Sequence, residues 1–66
     1  MENLFLKELR VKKQLTQCEM ANTLNITLRQ YQRYEAGTSL PRVDAAIEMA
    51  KFFDTTVEEL FGNKSL

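Results

Sequence analysis

The chain has 66 residues, nine of them Lys or Arg and nine Asp or Glu, so its formal net charge is zero, and it contains no His. Residues 1–66 are expected to form one small domain. Without His and with the single cysteine Cys18, the sequence offers no Ser-His or Cys-His pair, no His/Cys zinc site and no internal disulfide. We therefore predict that the protein is not an enzyme and holds no metal or cofactor.

The sequence has neither a signal-peptide pattern nor an apolar run of about 18 residues. Together with the lone cysteine, this predicts a soluble cytoplasmic protein without a membrane partner. The charges are segregated along the chain: residues 1–33 hold six basic and three acidic residues, whereas residues 34–66 hold three basic and six acidic ones. Because local patches determine where a phosphate backbone is attracted, zero net charge does not exclude a polyanionic partner.

Helical spacing of apolar residues, without the strict alternation of strands, predicts an all-α fold. The first helix is predicted over about residues 2–13. The second helix opens at Thr16, which with Glu19 has the spacing of a capping box, in which a hydroxyl and a carboxylate satisfy free backbone amides. Asn25 follows this helix and tolerates the left-handed conformation that is common just past a helix end.

Thr27 and Gln30 repeat the capping-box spacing and predict a third helix from about residue 28 to residue 35 or 36, ended by Gly37. Two short capped helices joined by a tight turn, over about residues 16–36, predict a helix-turn-helix.

Two further helices complete the predicted set. Pro41 stands beside the start of a fourth helix that runs to about residue 53. Thr56 and Glu59 form a third capping-box pair, which opens a short fifth helix toward Gly62.

The third helix has two different faces. A helical wheel places Tyr31 and Tyr34 on one side and polar side chains on the other. We call the polar side and its borders the reading face: Leu28, Arg29, Gln30, Gln32 and Arg33. On DNA, Arg can pair with guanine, Gln with adenine, and Leu can touch a thymine methyl. A solvated helix face has the same pattern, and the capped turn before it favours the DNA interpretation.

The ordered pattern over residues 4–61 resembles the Cro/repressor-like, or Xre-type, helix-turn-helix family. The matching residues are Leu6, Leu9, Arg10, Lys13, Leu15, Thr16, Gln17, Met20, Ala21, Leu24, Ile26, Thr27, Tyr31, Arg33, Tyr34, Glu35, Gly37, Pro41, Ile47, Ala50, Phe53, Val57, Glu59, Leu60 and Phe61. The resemblance implies a compact five-helix bundle like that of lambda repressor, and sequence-specific binding of operator DNA.

The resemblance also implies contacts with DNA for several single residues. Gln17 resembles a phosphate contact at the start of the second helix, and Thr27 a capping residue that also touches phosphate. Arg42 resembles a basic position near phosphates or the minor groove. Lys13 fits either a phosphate contact or a solvated helix end. The reading face matches the family's variable base-reading surface, so base targets do not transfer.

Arg10 and Glu35 match family positions that form an internal ion pair between the first helix and the end of the third. The sequence also departs from the family pattern. Asn25 stands where Gly is frequent, and Ala36 replaces a polar residue that can contact the DNA backbone. Tyr31 stands where an aliphatic residue is usual, so its hydroxyl is expected to reach the helix border or water.

The resemblance favours a homodimer through the C-terminal end, residues 53–61, with two reading helices about 34 Å apart on an inverted repeat. The apolar residues assigned to this contact are Leu40, Phe53, Val57, Leu60 and Phe61. The same residues also fit a monomer core, and the two roles are compatible.

We therefore expect a transcription regulator, a repressor in preference to an activator, whose partners are double-stranded operator DNA and a second copy of itself. No small-molecule ligand is expected. The alternative is a non-catalytic protein-interaction module, or an antitoxin-like partner, that docks through the third helix or the acidic C-terminal half.

Overall fold

A computed structural model describes residues 3–62 of the chain. These residues form four α-helices and a short C-terminal π-helical segment, and no strand occurs among them. The elements are α1 (Leu4–Lys12), α2 (Gln17–Leu24), α3 (Leu28–Ala36), α4 (Val43–Phe52) and the π-helical segment (Glu58–Gly62). The predicted all-α fold of five helices is confirmed, with a π-helical turn in fifth place.

Asn3 determines where α1 begins. Its Oδ1 accepts the backbone N–H of Leu6 at 3.0 Å, and its Nδ2 donates to the carbonyl oxygen of Leu60 at 2.8 Å. The backbone N–H of Asn3 donates to the carbonyl oxygen of Glu35, also at 2.8 Å. The predicted start at about residue 2 was therefore too early, because Asn3 is the N-cap and α1 begins at Leu4.

The capping box of α2 is complete. The N–H of Glu19 donates to Thr16 Oγ1 at 3.0 Å, and the N–H of Thr16 donates to Glu19 Oε1 at 2.8 Å. Asn25 ends the helix with a φ of 59°, in the left-handed region that asparagine tolerates. The predicted capping box and the predicted left-handed end of the helix at Asn25 are both confirmed.

The N-terminus of α3 has half of the predicted capping box. The N–H of Gln30 donates to Thr27 Oγ1 at 3.1 Å. The side chain of Gln30 does not return to Thr27, because its Nε2 donates to Ser39 Oγ at 3.3 Å. Gly37 ends α3 with a φ of 79°, so the predicted bounds of the third helix are confirmed.

The C-terminal capping box is also half-formed. The N–H of Glu59 donates to Thr56 Oγ1 at 3.0 Å. The carboxylate of Glu59 accepts from the hydroxyl of Thr55 instead of returning to Thr56. The segment that follows winds as a π-helix from Glu58 to Gly62 rather than as the predicted α-helix.

The core lies between the helices, and α2 and α3 pack most extensively on each other. Ala21 of α2 is buried in the core cluster. Met20 and Met49 are fully buried in the same cluster. The buried cluster comprises Leu6, Met20, Ala21, Tyr31, Tyr34, Met49, Ala50, Phe53 and Leu60.

Two of the residues assigned to a dimer contact belong to this core. Leu60 is 0% exposed and Phe53 is also buried, so neither presents its side chain to a second copy. Of the two roles predicted for them, the structure shows the core role, because the C-terminal segment folds back onto the bundle and covers the monomer's own apolar surface. Leu40 is 73% exposed, whereas Val57 and Phe61 are half-buried against the core.

Candidate nucleic-acid interface

Helix α3 is anchored by its aromatic face. Tyr31 and Tyr34 are buried, with ring centroids 6.4 Å apart in an edge-to-face arrangement. On the opposite side, Arg29, Gln32 and Arg33 are exposed. The two faces of the helical wheel are therefore confirmed, and the polar face is presented outward by a helix that packing holds in place.

Arg29 and Arg33 lie one turn apart on the exposed side of α3. Residues at this spacing are neighbours on a helix surface, so two guanidinium groups share one patch. Within residues 3–62, neither forms an ion pair, since the ion pair found there joins Arg10 and Glu35. Both arginines thus keep their hydrogen-bond donors available for an anionic or guanine-rich partner.

The two residues at the borders of the reading face differ in exposure. Leu28 is exposed at the first position of α3, where it adds an apolar group to the polar surface. Gln30 is half-buried and is tied to Ser39 through its side-chain amide. Leu28 is therefore the more accessible of the two.

An ion pair lies beneath the reading face. Arg10 Nε lies 2.5 Å from Glu35 Oε2, and Arg10 Nη2 lies 3.4 Å from Glu35 Oε1. Arg10 Nη1 also donates to the carbonyl oxygen of Leu15 at 2.7 Å. The side chains are only 11% and 6% exposed, so this pair joins α1 to the end of α3 in a largely desolvated position.

Tyr31 adds a buried hydrogen bond to the same carboxylate. Its hydroxyl donates to Glu35 Oε2 at 2.6 Å, so the expectation that this hydroxyl reaches the helix border or water was wrong. Burial raises the pKa of the Tyr31 phenol, and the neighbouring Glu35 carboxylate raises it further. Tyr31 therefore stays protonated and acts as a hydrogen-bond donor.

The pKa of Glu35 is lowered from its ordinary value. Burial alone acts in the opposite direction, but the hydrogen bonds from Arg10, Tyr31 and Gln17 together outweigh it. The same contacts raise the pKa of Arg10, chiefly through its hydrogen bond to Glu35. The group is therefore a carboxylate surrounded by three donors.

Gln17 connects this carboxylate to the reading face. Its Nε2 donates to Glu35 Oε1 at 3.0 Å, and its Oε1 accepts from Gln32 Nε2 at 3.2 Å. A surface concavity of about 390 Å³ lies beside these groups, lined by Lys7, Arg10, Gln17, Gln32, Glu35 and Ala36. Gln17, the predicted phosphate contact, thus has two hydrogen-bond partners within the protein, Glu35 and Gln32.

The other basic and capping residues lie on separate elements. Lys13 Nζ is 5.2 Å from the centroid of the Phe52 ring, a cation–π contact between the end of α1 and the end of α4. Arg42 is exposed just before α4, and its side chain makes no capping hydrogen bond. Thr27 is exposed, with its hydroxyl accepting from the first turn of α3.

Sequence reasoning missed the link between Gln17 and Gln32. The sequence pattern points to both residues, but for separate roles on phosphate and base. Their hydrogen bond depends on how α2 crosses α3, which no local spacing encodes. The only available signal was that both are amide side chains in a motif whose two helices must touch.

Two other kinds of site are not found in the part of the chain that the structure describes. Residues 3–62 contain no group of three or more His, Cys, Asp and Glu side chains placed to hold a metal ion. None of their helices is both long and apolar enough to cross a membrane. Cys18 is an exposed free thiol.

Several known proteins that are similar to this chain are named as transcription regulators. The chain is 34% identical over 55 residues to the cryptic phage CTXphi transcriptional repressor RstR of Vibrio cholerae, covering 83% of this chain and 50% of RstR. It is 39% identical over 59 residues to the HTH-type transcriptional regulator AnsR of Bacillus subtilis (strain 168), covering 89% of this chain and 51% of AnsR.

A third relative is the HTH-type transcriptional activator BcrR of Enterococcus faecalis, 31% identical over 61 residues, covering 92% of this chain and 30% of BcrR. The chain thus spans about half the length of RstR and AnsR, and less of BcrR. No solved structure is significantly similar to it.

A helix-turn-helix family model matches residues 6–60, which run from α1 into the C-terminal segment. The match includes both helices of the motif, the ion pair beneath them and the whole reading face. The chain belongs to the Xre-type helix-turn-helix family.

Proposed function

We propose that the protein is a sequence-specific DNA-binding transcription regulator that inserts α3 into the major groove of an operator. The observation that carries this proposal is the pair Arg29 and Arg33, exposed and without ion-pair partners within residues 3–62, on a helix anchored by Tyr31 and Tyr34. A helix of this kind fits the major groove, where arginine recognises guanine through two hydrogen bonds.

The same proposal assigns phosphate contacts to residues around the reading face. Thr27 and Arg42 are exposed at the N-termini of α3 and α4, where free backbone amides also attract anions. Gln17 contributes from the first position of α2. Lys13 contributes less, because its ammonium already contacts the ring of Phe52.

We further propose that the protein binds an inverted repeat as a homodimer. An exposed apolar surface supports this, since Leu40 is 73% and Val43 is 76% exposed. The two residues are three positions apart in the sequence, and an exposed apolar patch often marks a contact surface. The proposed interface therefore contains Leu40 and Val43, together with the half-buried Val57 and Phe61, and excludes the buried Phe53 and Leu60.

We propose repression as the mode of regulation, because occupation of an operator is enough to exclude RNA polymerase. RstR is a repressor by name, whereas BcrR is an activator by name. The site of action of such a protein is the cytoplasm. A reporter gene with the selected operator overlapping its promoter tests this: repression is expected, and increased expression contradicts it.

Binding to mixed-sequence duplex DNA at increasing salt tests DNA binding itself. The affinity is expected to fall linearly on logarithmic axes, with a slope that reports the number of phosphates neutralised. The charge-reversed variant Arg33→Glu should bind far more weakly, and Lys51→Glu, which reverses an exposed charge at the end of α4, should bind almost as wild type. A protein-interaction module predicts no binding by any of the three, and that result would reject the proposal.

A further inference from the structure

We propose that Gln32 is a specificity-determining residue that reads an A·T base pair, and that Glu35 fixes the direction in which the Gln32 amide faces by acting through Gln17. The inference rests on the proposed function, because it concerns how the reading face recognises a base. It assigns Gln17 a positioning role in addition to any contact with phosphate.

The order of donors and acceptors along this path has one consistent solution. An ionised carboxylate can only accept hydrogen bonds, so the group of Gln17 that meets Glu35 Oε1 at 3.0 Å must be its NH₂. The oxygen of the Gln17 amide then faces Gln32. The group of Gln32 that meets this oxygen at 3.2 Å must in turn be its own NH₂. One carboxylate therefore orients two amides in sequence.

The carboxylate at the head of this path is well suited to the role. Glu35 accepts from Arg10 and from the buried hydroxyl of Tyr31, and its side chain is only 6% exposed. These donors keep it ionised, so its oxygens remain acceptors at neutral pH. The starting point of the path is thus fixed both in position and in protonation state.

The fixed amide of Gln32 presents one particular edge to solvent. One N–H donates to Gln17. We assign the N–H trans to the oxygen to this bond, which leaves the oxygen and the N–H cis to it. An amide oxygen and N–H side by side match the N6 donor and the N7 acceptor of adenine in the major groove. Because Gln32 is already held in this orientation, less side-chain freedom is lost on binding.

Gln30 provides a contrast on the same helix. Its Nε2 meets Ser39 Oγ at 3.3 Å, and a serine hydroxyl can either donate or accept. This contact is compatible with either orientation of the Gln30 amide. Gln32 differs because its path ends on a group that cannot donate.

Binding measurements on a selected operator test the inference. We would replace each base pair of one half-site in turn and measure the affinity of wild type, Gln32→Ala, Gln17→Met and the control Lys51→Ala. The wild type should prefer A·T at one position by about 5- to 150-fold, the range expected of a good bidentate contact. Gln32→Ala should abolish this preference, and Gln17→Met should reduce it at least about threefold while preferences at other positions persist. Lys51→Ala, which changes an exposed side chain of α4 outside the reading face, should leave it intact.

Three results would overturn the inference while leaving DNA binding in place. A loss of affinity by one common factor on every duplex in Gln17→Met would make Gln17 a phosphate contact alone. Unchanged base preferences in Gln32→Ala would remove its reading role, and an effect of that variant at a G·C pair would contradict the assigned base. If the wild type shows no base preference at any position, sequence-specific binding itself fails, and the inference fails with it.

Side-chain amide NMR signals give a readout without DNA, which also serves if Gln17→Met does not fold. In the free wild-type protein, the chemical shifts of the Gln32 NH₂ group should differ from those of a solvated glutamine. Under acidic conditions that protonate Glu35 but keep the chain folded, these shifts should move to the values of a solvated glutamine. Gln32 signals that match a solvated glutamine at neutral pH would contradict the inference.

Discussion

Tyr31 donates a hydrogen bond from its buried hydroxyl to Glu35 Oε2, one turn further along α3, at 2.6 Å. Arg10 Nε reaches the same oxygen from α1 at 2.5 Å. One carboxylate thus joins the buried aromatic face of α3 to α1. The position of the reading face depends on this junction as well as on apolar packing.

The ion pair is expected to be strongly coupled. Arg10→Ala should lower the free energy of unfolding by about 3 to 5 kcal/mol, because it leaves the Glu35 carboxylate buried without its charged partner. The double variant Arg10→Ala/Glu35→Ala should lose much less unfolding free energy than the sum of the losses in the two single variants. Urea denaturation of the four proteins measures this coupling. Additive losses would show that the two residues act independently.

A milder variant serves if Arg10→Ala leaves too little folded protein to measure. Tyr31→Phe removes one donor from Glu35 and keeps the ring in the core. It should lower the free energy of unfolding by about 1.5 to 3 kcal/mol, the usual contribution of a hydrogen bond to a charged group. Tyr34→Phe is the matched control on the same face of α3, and a loss as large as that of Tyr31→Phe would contradict a specific role for Tyr31.

Stability should fall in acid because of Glu35. Its pKa is lower in the folded protein than the ordinary value of about 4.3 in the unfolded chain, so the folded state binds a proton less readily. The stabilisation is fully present above about pH 5 and is lost as the pH falls through the folded pKa. Urea denaturation of wild type and Glu35→Gln between pH 7 and pH 3 measures this, and the variant should show a shallower decline. Parallel curves would contradict it.

Asn3 should contribute to stability at both ends of the chain. Asn3→Ala removes the N-cap of α1 and leaves the carbonyl of Leu60 without its donor, which should together cost about 1.5 to 4 kcal/mol. Asn3→Ser keeps a capping oxygen but is too short to reach Leu60, so its loss should be smaller. Chemical denaturation tests this order, and equal losses would show that the bond to Leu60 adds nothing.

Substitution of the exposed Leu40 should affect self-association, whereas substitution of the buried Leu60 should affect stability. Leu40→Glu should weaken self-association while changing the unfolding free energy by less than about 0.5 kcal/mol, as expected of an exposed site. Leu60→Ala should instead cost about 2 to 5 kcal/mol, because Leu60 is fully buried. Sedimentation and urea denaturation distinguish the two effects. Self-association of Leu40→Glu equal to that of wild type would place the dimer contact elsewhere.

Local chemistry explains what could be predicted from the sequence. The capping box of α2 links residues three positions apart, Asn25 needs only its own left-handed backbone, and the two faces of α3 follow from helical periodicity. None of these features depends on the rest of the chain. The helix-turn-helix and its exposed arginines could therefore be predicted from short stretches of sequence.

Contacts between distant segments could not be predicted in the same way. The bond from Asn3 to Leu60 spans 57 residues, and the bond from Gln17 to Gln32 spans 15. Each depends on how whole helices pack. The burial of Phe53 has the same origin, because an apolar residue near the C-terminus fits a core and an interface equally well until the segment is placed.

Base reading by α3 is tested most directly by the base preference of wild type, Arg29→Ala and Arg33→Ala on duplexes selected from a random pool, with Arg42→Ala as the control for phosphate contact. The wild type should enrich an inverted repeat. Each of the two reading-face variants should lose preference at one position per half-site, at a cost of about 1 to 3 kcal/mol, whereas Arg42→Ala should weaken all duplexes alike. If Arg29→Ala and Arg33→Ala also weaken every duplex equally, α3 does not read bases, and this result would contradict the proposed function.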